Sequence, residues 1–209
     1  MLPMMQVTHS PIALNAELLE QQLLQENALL RGHFRLSSGL HSDTYVQCAR
    51  YLRRPELAAP AAAALAAQIG AAGIKPDVVV GPAMGGVVIG YELARQLGVP
   101  GIFTERDGDG QMVLRRGFNI EPGEKVVIAE DVVTTGKSTL EVAKILRAMG
   151  AEVLAVASLI DRTGGKDGLD FPHFALLSVQ AATFAPESCP LCANGVPVVK
   201  PGSRPEKAF

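Results

Sequence analysis

Short apolar runs that alternate with longer helical segments constrain the fold of this 209-residue chain more than any other feature. Residues 78–80 form one such run, bounded by Pro76 and Gly81, and residues 125–129, KVVIA, form another. Runs of this kind are typical of strands buried on both faces, as in a parallel sheet covered by helices. The alternation therefore predicts an α/β fold with a central parallel sheet flanked by helices.

Apolar periodicity also predicts the order of the elements. A first helix runs from its cap at Asn15 to residue 30 and ends at Gly32, and short irregular strands follow within residues 33–47. Pro55 begins a helix that crosses an alanine-rich stretch and stops near Gly70. The remaining predicted strands cover residues 78–80, 101–104, 125–129, 153–160 and 174–179. Helices are predicted at residues 87–97 and from the end of the EDVVTTGKS segment to about residue 148.

The composition is that of a globular protein. Hydrophobic residues make up 48% of the chain and charged residues 19%, which is enough for a sizeable core and excludes a disordered chain. The formal net charge is −2, and the lysines and arginines are scattered. A nucleic-acid-binding surface needs a concentration of basic residues, so we expect no nucleic-acid partner.

Targeting and membrane segments are not expected. The first 14 residues, MLPMMQVTHSPIAL, lack the basic start and continuous apolar core of a signal peptide. Polar residues, Pro60 and glycines interrupt the alanine-rich run at residues 57–74, and alanine is weakly hydrophobic, so we expect no membrane span. Three cysteines in a chain of this length do not make a disulfide framework, which predicts a reducing, cytoplasmic location.

Residues 130–140, EDVVTTGKSTL, carry the strongest chemical signal. Two acids, Glu130 and Asp131, come directly after the apolar run 125–129, and hydroxyl residues and Gly136 then lead into a helix. Backbone N–H groups at a helix N-terminus, with nearby hydroxyls and the helix dipole, form an anion site of phosphate size. The acids can accept hydrogen bonds from vicinal hydroxyls of the same ligand. The pattern therefore predicts a site for a phosphorylated ribose.

Two other interpretations of this segment were weighed. TGKST is similar to the end of a nucleoside-triphosphate P-loop, but that motif needs glycine five positions before the glycine of its GK pair. Asp131 stands at that position, which argues against a P-loop. An ordinary strand–helix turn would explain TTGKS alone, but it gives no reason for two acids directly after a buried strand.

The same segment resembles the phosphoribosyl-pyrophosphate (PRPP) motif of type I phosphoribosyltransferases. In that family a hydrophobic strand is followed by two acids, two aliphatic residues and a threonine- and glycine-containing turn. The resemblance implies that Asp131 is catalytic. It also implies that PRPP is bound by the whole segment, namely Glu130, Asp131, Val132, Val133, Thr134, Thr135, Gly136, Lys137 and Ser138.

Residues 81–86, GPAMGG, stand one strand–helix unit earlier, where the family has a loop that binds the pyrophosphate of PRPP. The resemblance implies that Ala83, Met84 and Gly85 face the pyrophosphate. A glycine-rich backbone can turn its N–H groups toward an anion. A tight strand–helix connection without a ligand is the alternative interpretation.

The base is indicated by two further segments. Residues 34–45, FRLSSGLHSDTY, resemble the N-terminal segment of orotate phosphoribosyltransferases, and residues 161–165, DRTGG, resemble their strand end that carries an arginine. The resemblance implies that Phe34, Thr134 and Arg162 contact orotate. A guanidinium binds a carboxylate with two parallel hydrogen bonds, which suits an anionic pyrimidine. A surface turn for Arg162 and core positions for Phe34 and Tyr45 are the alternatives.

The resemblance covers residues 28–197 and carries expectations about architecture and partners. It implies a type I phosphoribosyltransferase fold in one domain over residues 1–209, with an N-terminal hood at about 1–50, a core at about 51–180 and a tail at about 181–209. It also implies PRPP and orotate as substrates, Mg²⁺ held mainly by PRPP and without direct protein ligands, and a homodimer.

The chain departs from the family pattern in two places. The family often has a lysine before its Ser-Gly turn, and Ser37 stands there in this chain. The catalytic loop of the family often carries lysine and histidine, but residues 105–118, ERDGDGQMVLRRGF, have neither. Arg106 lies closest to the start of this loop, so we rank it first as the catalytic cation, ahead of Arg115 and Arg116.

The cysteines and histidines give no clear prediction. Cys189 and Cys192 have the spacing of half a zinc site, but we expect no second Cys pair or Cys/His pair within the chain, so a tight C-terminal turn is favoured. The four histidines form no catalytic pattern. Two rival functions also remain: a phosphoribosyltransferase for a purine or uracil, and a PRPP-sensing regulator that binds nucleic acid.

Overall fold

The structure is a computed structural model that describes residues 14–166 and 168–201, and these residues form two β-sheets with packed helices. The helices are α1 (Ala16–Gln25), α2 (Ala49–Leu52), α3 (Pro55–Ala71), α4 (Gly85–Leu97), α5 (Lys137–Ala148) and α6 (Pro190–Ala193). The strands are β1 (Leu29–Arg35), β2 (His41–Val46), β3 (Val78–Pro82), β4 (Gly101–Arg106), β5 (Met112–Leu114), β6 (Lys125–Val133), β7 (Glu152–Asp161), β8 (His173–Ser178) and β9 (Thr183–Phe184). The prediction about a signal peptide falls on residues 1–13, outside the described residues.

The larger sheet has six strands in the order β5–β4–β3–β6–β7–β8. Strands β4, β3, β6, β7 and β8 run parallel to one another. At one edge of the sheet, β5 pairs antiparallel with β4. This arrangement confirms the predicted α/β fold with a central, mostly parallel sheet. The carboxyl ends of β3, β6 and β7 therefore lie at the same edge of the sheet. The segments at residues 81–86, 130–140 and 161–165 are located at these strand ends.

Alternating side chains of the central strands fill two separate cores. Val79 and Val127 pack in a cluster with residues of α1, α3 and α4, such as Leu65. Val126 and Ile128 point the other way and pack with α5. Successive residues of a strand point to opposite faces, so strands that are apolar throughout need helices on both sides of the sheet.

Two predicted elements have different bounds. The first helix ends at Gln25 rather than residue 30, because Asn27 has a left-handed φ of 53° and Leu29 then pairs with Val46 in β1. Gly32 therefore lies inside a strand. The strand predicted at 125–129 continues to Val133, since its last residues keep pairing with β7.

The smaller sheet is a hood built from both ends of the described chain. Its order is β1–β2–β9, so the C-terminal strand β9 pairs with the N-terminal hairpin. Val199 adds a parallel bridge on the other side, with hydrogen bonds to the backbone of His33 and Arg35. The predicted N-terminal hood is thus present, and the C-terminal segment completes it.

None of the helices within residues 14–166 and 168–201 is long and apolar enough to cross a membrane. The alanine-rich helix α3 instead buries Ala58, Ala61, Ala62, Leu65 and Ile69 in the protein core.

The start of α4 packs directly on the backbone of β6. A methyl group added at Gly86 would collide with the carbonyl oxygen of Ala129 and lie 2.8 Å from Pro82 Cδ. A methyl group added at Gly81 would likewise collide with the carbonyl oxygen of Gly86. Only glycine lets these backbone segments approach so closely.

We expect Gly86→Ala to lower the free energy of unfolding by on the order of 2–3 kcal/mol, because the new methyl group meets backbone rather than a movable side chain. Urea denaturation measures this change. The control is Gly70→Ala in α3, where nothing lies within 4 Å of the added methyl group. That control should raise stability by about 0.5–1 kcal/mol through helix propensity. Equal effects of the two substitutions would contradict the close-approach argument.

Candidate active site

The acid pair lies within the last part of β6 and faces both sides of the sheet. Glu130 pairs in register with Ser158 of β7, so both acids are strand residues rather than loop residues. Successive strand residues point to opposite faces. Glu130 accordingly meets α5, whereas Asp131 meets the start of α4. Val132 and Val133 continue the strand and pack in the two cores.

Glu130 is buried and is held by two hydroxyl groups of α5. Its Oε1 accepts hydrogen bonds from Ser138 Oγ at 2.8 Å and Thr139 Oγ1 at 3.3 Å. Burial raises the pKa of Glu130 to about 7, while the Ser138 hydrogen bond opposes the shift and the charge of Asp131 adds to it. The carboxyl group thus fastens the first turn of α5 to the end of β6.

Asp131 lies against the backbone of Gly85. A methyl group at Gly85 would occupy the position of the Asp131 carboxylate, so the two predicted ligand-binding segments touch through this pair. Burial raises the pKa of Asp131, and a hydrogen bond from its neighbour Val132 N at 2.9 Å opposes the shift. Cys48 Sγ contacts the Asp131 carbonyl oxygen at 3.7 Å, and burial followed by the charge of Asp131 raises the pKa of this thiol.

The turn between β6 and α5 has the backbone expected of an anion site. Gly136 has a φ of 70° and caps α5, which begins at Lys137. The first N–H groups of a helix have no partners within the helix, so they point out of its N-terminus toward the turn. Thr135 Oγ1 accepts a 3.4 Å hydrogen bond from Lys137 N, and the Lys137 side chain is 80% exposed.

The turn between β3 and α4 lies beside this site. Ala83 N donates a 2.7 Å hydrogen bond to Thr104 O, and the peptide bond between Ala83 and Met84 is cis. The Met84 side chain is 82% exposed. Because Gly85 contacts Asp131, the structure brings residues 83–85 and the acid pair together.

A cavity of about 920 Å³ opens between this edge of the sheet and the hood. Its wall combines three cationic side chains with hydroxyl, amide and apolar groups. The lining residues are Arg35, Leu36, Ser37, Ser38, Tyr45, Gln47, Met84, Thr134, Thr135, Arg162, Ala181, Thr183, Lys200 and Pro201. Neither Glu130 nor Asp131 is among them.

Arg162 reaches this cavity with an unsatisfied donor. It follows β7, and its backbone N–H donates to Val133 O at 2.8 Å. Its Nε is buried and has no hydrogen-bond partner among the described residues. Burial lowers the pKa of Arg162, and the nearby charge of Asp43 opposes this shift. A buried donor without a partner destabilises the folded protein. A donor of this kind is typical of a side chain whose acceptor is supplied by a bound ligand.

Phe34 and Arg106, two other predicted site residues, do not line this cavity. Phe34 is only 6% exposed and is not among the cavity-lining residues; its ring packs 5.9 Å from the ring of Tyr45. Tyr45 lines the cavity, and its hydroxyl donates to Gln47 Oε1 at 2.8 Å. Arg106 lies on the β4–β5 hairpin, where its guanidinium donates to Glu141 Oε2 at 2.7 Å and to Gly110 O at 2.6 Å.

The segment predicted as a catalytic loop is a short hairpin. Asp107 Oδ1 accepts hydrogen bonds from the backbone of Asp109 and Gln111, which closes the turn. Arg115 and Arg116 both pair with Glu105, at 3.5 and 2.9 Å. The three arginines of this hairpin thus already pair with carboxylates on the protein surface.

The cavity wall also contains residues from the C-terminal part of the chain, which the sequence did not predict. Ala181, Thr183, Lys200 and Pro201 reach the cavity because the tail pairs with both sides of the N-terminal hairpin. The apolar stretch at residues 196–199, VPVV, directly before Lys200, was the available signal, since such a stretch is typical of a strand-like segment.

We expect Glu130→Gln to flatten the pH dependence of stability between about pH 4.5 and about pH 7. The folded protein binds Glu130's proton more tightly than the unfolded chain does, so wild-type stability falls as pH rises through this window. Over the window this difference between the two proteins amounts to about 2–3 kcal/mol in the free energy of unfolding. Burial also raises the pKa of Asp131, which contributes a slope of the same sign to both proteins.

Urea denaturation across this pH range measures the effect. Glutamine keeps an oxygen that accepts from Ser138, so the variant is expected to fold. Exposed Glu152→Gln serves as the control and should follow the wild-type profile. A Glu130→Gln profile parallel to that of the wild type would show that Glu130 is ionised in the folded protein throughout the window.

The chain is similar to known proteins of one family. Residues 49–191 match the family described as Phosphoribosyl transferase domain. The orotate phosphoribosyltransferase of Carboxydothermus hydrogenoformans is 54% identical over 181 residues, which cover 87% of this chain and 94% of that relative. The orotate phosphoribosyltransferase of Caldicellulosiruptor bescii is 51% identical over 91% of this chain and 99% of its own length.

Solved structures agree with the sequence comparison. The crystal structure of orotate phosphoribosyltransferase from Aeropyrum pernix matches with a TM-score of 0.66 and 27% identity, over 77% of this chain and 93% of that chain. Adenine phosphoribosyltransferase from Thermoanaerobacter pseudethanolicus shares the fold, with a TM-score of 0.59 and 21% identity over 65% of this chain and 88% of that chain. The chain therefore belongs to the phosphoribosyltransferase family and, within it, to the orotate phosphoribosyltransferases.

Proposed function

We propose that the protein transfers the 5-phosphoribosyl group from PRPP to orotate, which gives orotidine 5′-monophosphate and pyrophosphate in UMP biosynthesis. It is a pentosyltransferase, as its family membership states. The observation that carries the choice of base is Arg162, whose buried Nε has no hydrogen-bond partner among the described residues and whose side chain lines the cavity.

Arg162 suits the carboxylate of orotate. A planar guanidinium presents parallel N–H groups that match a carboxylate, and a charge-assisted hydrogen bond is stronger than a neutral one. Uracil and the purines have no carboxylate, so they would leave the buried donor without a charged partner. Thr134 lines the same cavity and can hydrogen-bond the base. Tyr45 supplies the aromatic wall that we expected from Phe34, which instead packs behind it.

PRPP fits the remaining groups. In this proposal the free N–H groups around residues 134–138 hold the 5′-phosphate, and Asp131 accepts hydrogen bonds from the ribose hydroxyls. Glu130, already bonded to Ser138, fixes the phosphate turn at the end of β6. Ala83, Met84 and Gly85 face the pyrophosphate. Their contact with Asp131 through Gly85 keeps the two ends of the substrate site at a fixed separation.

The reaction forms a bond between orotate N1 and ribose C1 while the bond from C1 to the pyrophosphate oxygen breaks, and the proton of N1 is released to solvent or to the departing pyrophosphate. Positive charge develops on the ribose ring, and negative charge develops on the departing pyrophosphate. The carboxylate of Asp131 stabilises the former, and the backbone N–H groups of Met84 and Gly85 and nearby cations stabilise the latter. Orotate carries its own negative charge, so the transfer does not require a strong general base from the protein.

Mg²⁺ is the expected cofactor, and the donor set agrees with an ion held mainly by PRPP. Mg²⁺ is usually bound through one or two carboxylates, substrate phosphate oxygens and several waters. Asp131 meets the pyrophosphate turn directly at Gly85. When bound, the ion neutralises charge on the leaving pyrophosphate.

Hairpin 105–118 is proposed to close over the site and exclude water. Arg106 would then leave Glu141, the partner it holds at 2.7 Å, and meet the pyrophosphate. We further propose a homodimer in which this hairpin serves the neighbouring subunit. A single-subunit mass in light scattering would rule the dimer out. A cytoplasmic location is proposed because none of the three cysteines forms a disulfide.

The function is tested by following absorbance while purified protein is mixed with PRPP, Mg²⁺ and a panel of bases. We expect consumption of orotate and no consumption of uracil, adenine, guanine or hypoxanthine, because only orotate offers a carboxylate to Arg162. Consumption of another base at an equal rate would favour the rival transferase. Consumption of none, with PRPP still bound, would favour the regulator.

We expect Arg162→Ala to raise the KM for orotate by about 10–100-fold, the loss of one charge-assisted contact, and to change the KM for PRPP little. Steady-state kinetics with each substrate varied in turn measures both constants. The control is Arg147→Ala, an exposed arginine that pairs with Asp170 and does not line the cavity. Equal increases in both constants would count against a role of Arg162 at the base.

A further inference from the structure

Four side chains of the hood and the tail converge outside the active site. They are His33 of β1, His41 of β2, Cys189 and Cys192, and their nearest ligand atoms all lie within 4.8 Å of one another. The expectation that the chain offers no second pair beside these two cysteines was therefore wrong, because the two histidines of the hood supply it. His33 and Cys189 are separated by 156 residues of sequence, so only the fold brings them together.

We propose that these four residues form a structural zinc site that fastens the C-terminal tail to the hood. Two cysteines and two histidines are a ligand set that tetrahedral zinc prefers. All four coordination positions come from the protein, which is the composition of a structural rather than a catalytic zinc site. With two thiolates and two neutral imidazoles, the site carries no net charge and suits its largely buried position.

Three of the distances between these ligand atoms match those around one tetrahedral ion, and all lie within 4.8 Å. Cys189 Sγ lies 3.5 Å from His33 Nε2, and Cys192 Sγ lies 3.7 Å from the same nitrogen and 3.3 Å from His41 Nδ1. Atoms bound to a single zinc ion lie about 3.3–3.8 Å apart, given bond lengths of about 2.0 Å to nitrogen and 2.3 Å to sulfur. The two nitrogens are 2.9 Å apart and would separate by about 0.4 Å around the ion.

The surroundings prepare His33 to bind a metal. Its Nδ1 lies 2.7 Å from the carbonyl oxygen of Val196, which fixes Nδ1 as the donor and leaves the lone pair of Nε2 directed at the cluster. His33, His41 and Cys189 are 3%, 6% and 3% exposed. A disulfide between the cysteines would use neither imidazole, whereas a metal ion uses all four groups.

The site has a consequence for the cavity. The tail runs from the cluster to Val199, which bridges to Phe34, and then to Lys200 and Pro201 in the cavity wall. None of the four cluster residues lines that cavity. The ion would therefore act as a cross-link that holds Lys200 in place. A cross-link between distant residues stabilises most by restricting the unfolded chain.

The proposal is tested on untagged protein that has been purified without chelators or metal-affinity columns. Mass spectrometry of the metal content is expected to give about one zinc per chain, and the double variant Cys189→Ser/Cys192→Ser is expected to lose at least nine-tenths of it. The matched control is Cys48→Ser, whose thiol lies outside the cluster and which should keep the wild-type zinc content. Zinc retained by the double variant would contradict the proposal.

A second measurement uses the wild-type protein alone, so it does not depend on whether the variants fold. Removal of zinc with a strong chelator should expose two additional reactive thiols and lower Tm by roughly 5 °C or more. Cobalt added to the chelator-treated protein should produce the visible bands of a tetrahedral ion and a thiolate charge-transfer band, and zinc should abolish both. Protein with no bound metal and no cobalt spectrum, or with a disulfide between Cys189 and Cys192, would overturn the proposal. These readouts do not depend on transferase activity.

Discussion

The close packing of the α4 start on the end of β6 is the constraint on which the site depends. Gly81, Gly85 and Gly86 allow backbone to meet backbone there, and a methyl group at any of the three would collide with it or with Asp131. The turn at residues 83–85 is thereby held against the acid pair. In the proposed function the two turns bind the phosphate and the pyrophosphate of one substrate, and this contact would set the distance between them.

The electrostatics of the site follow from the same geometry. Because β6 is a central strand, Glu130 is buried and Asp131 is half-buried on opposite faces of the sheet, and burial raises the pKa of both. Across the cavity, burial lowers the pKa of Arg162 and leaves its Nε without a partner among the described residues. A substrate that offers hydroxyls to Asp131 and a carboxylate to Arg162 would pair both groups, since a buried polar group destabilises the fold unless it is hydrogen-bonded.

The hood is held together by segments from both ends of the described chain. β1 and β2 are too small a sheet to be stable alone, and they gain β9 on one side and Val199 on the other. The cluster of His33, His41, Cys189 and Cys192 lies where these segments meet. The hood and the core are thus joined through β9 and the tail, which also bring Lys200 to the substrate cavity.

The sequence by itself determined the parallel sheet, because runs such as 78–80 and 125–129 are apolar on both faces and only a covered sheet satisfies them. It also determined the order of the acid pair, the threonine turn and the glycine turn, since local chemistry and chain order are written in it. Only the tertiary structure decided that Asn27 ends α1, that Phe34 packs behind Tyr45, and that distant histidines meet a pair of cysteines. Those outcomes depend on contacts between residues far apart in the chain, which local periodicity does not encode.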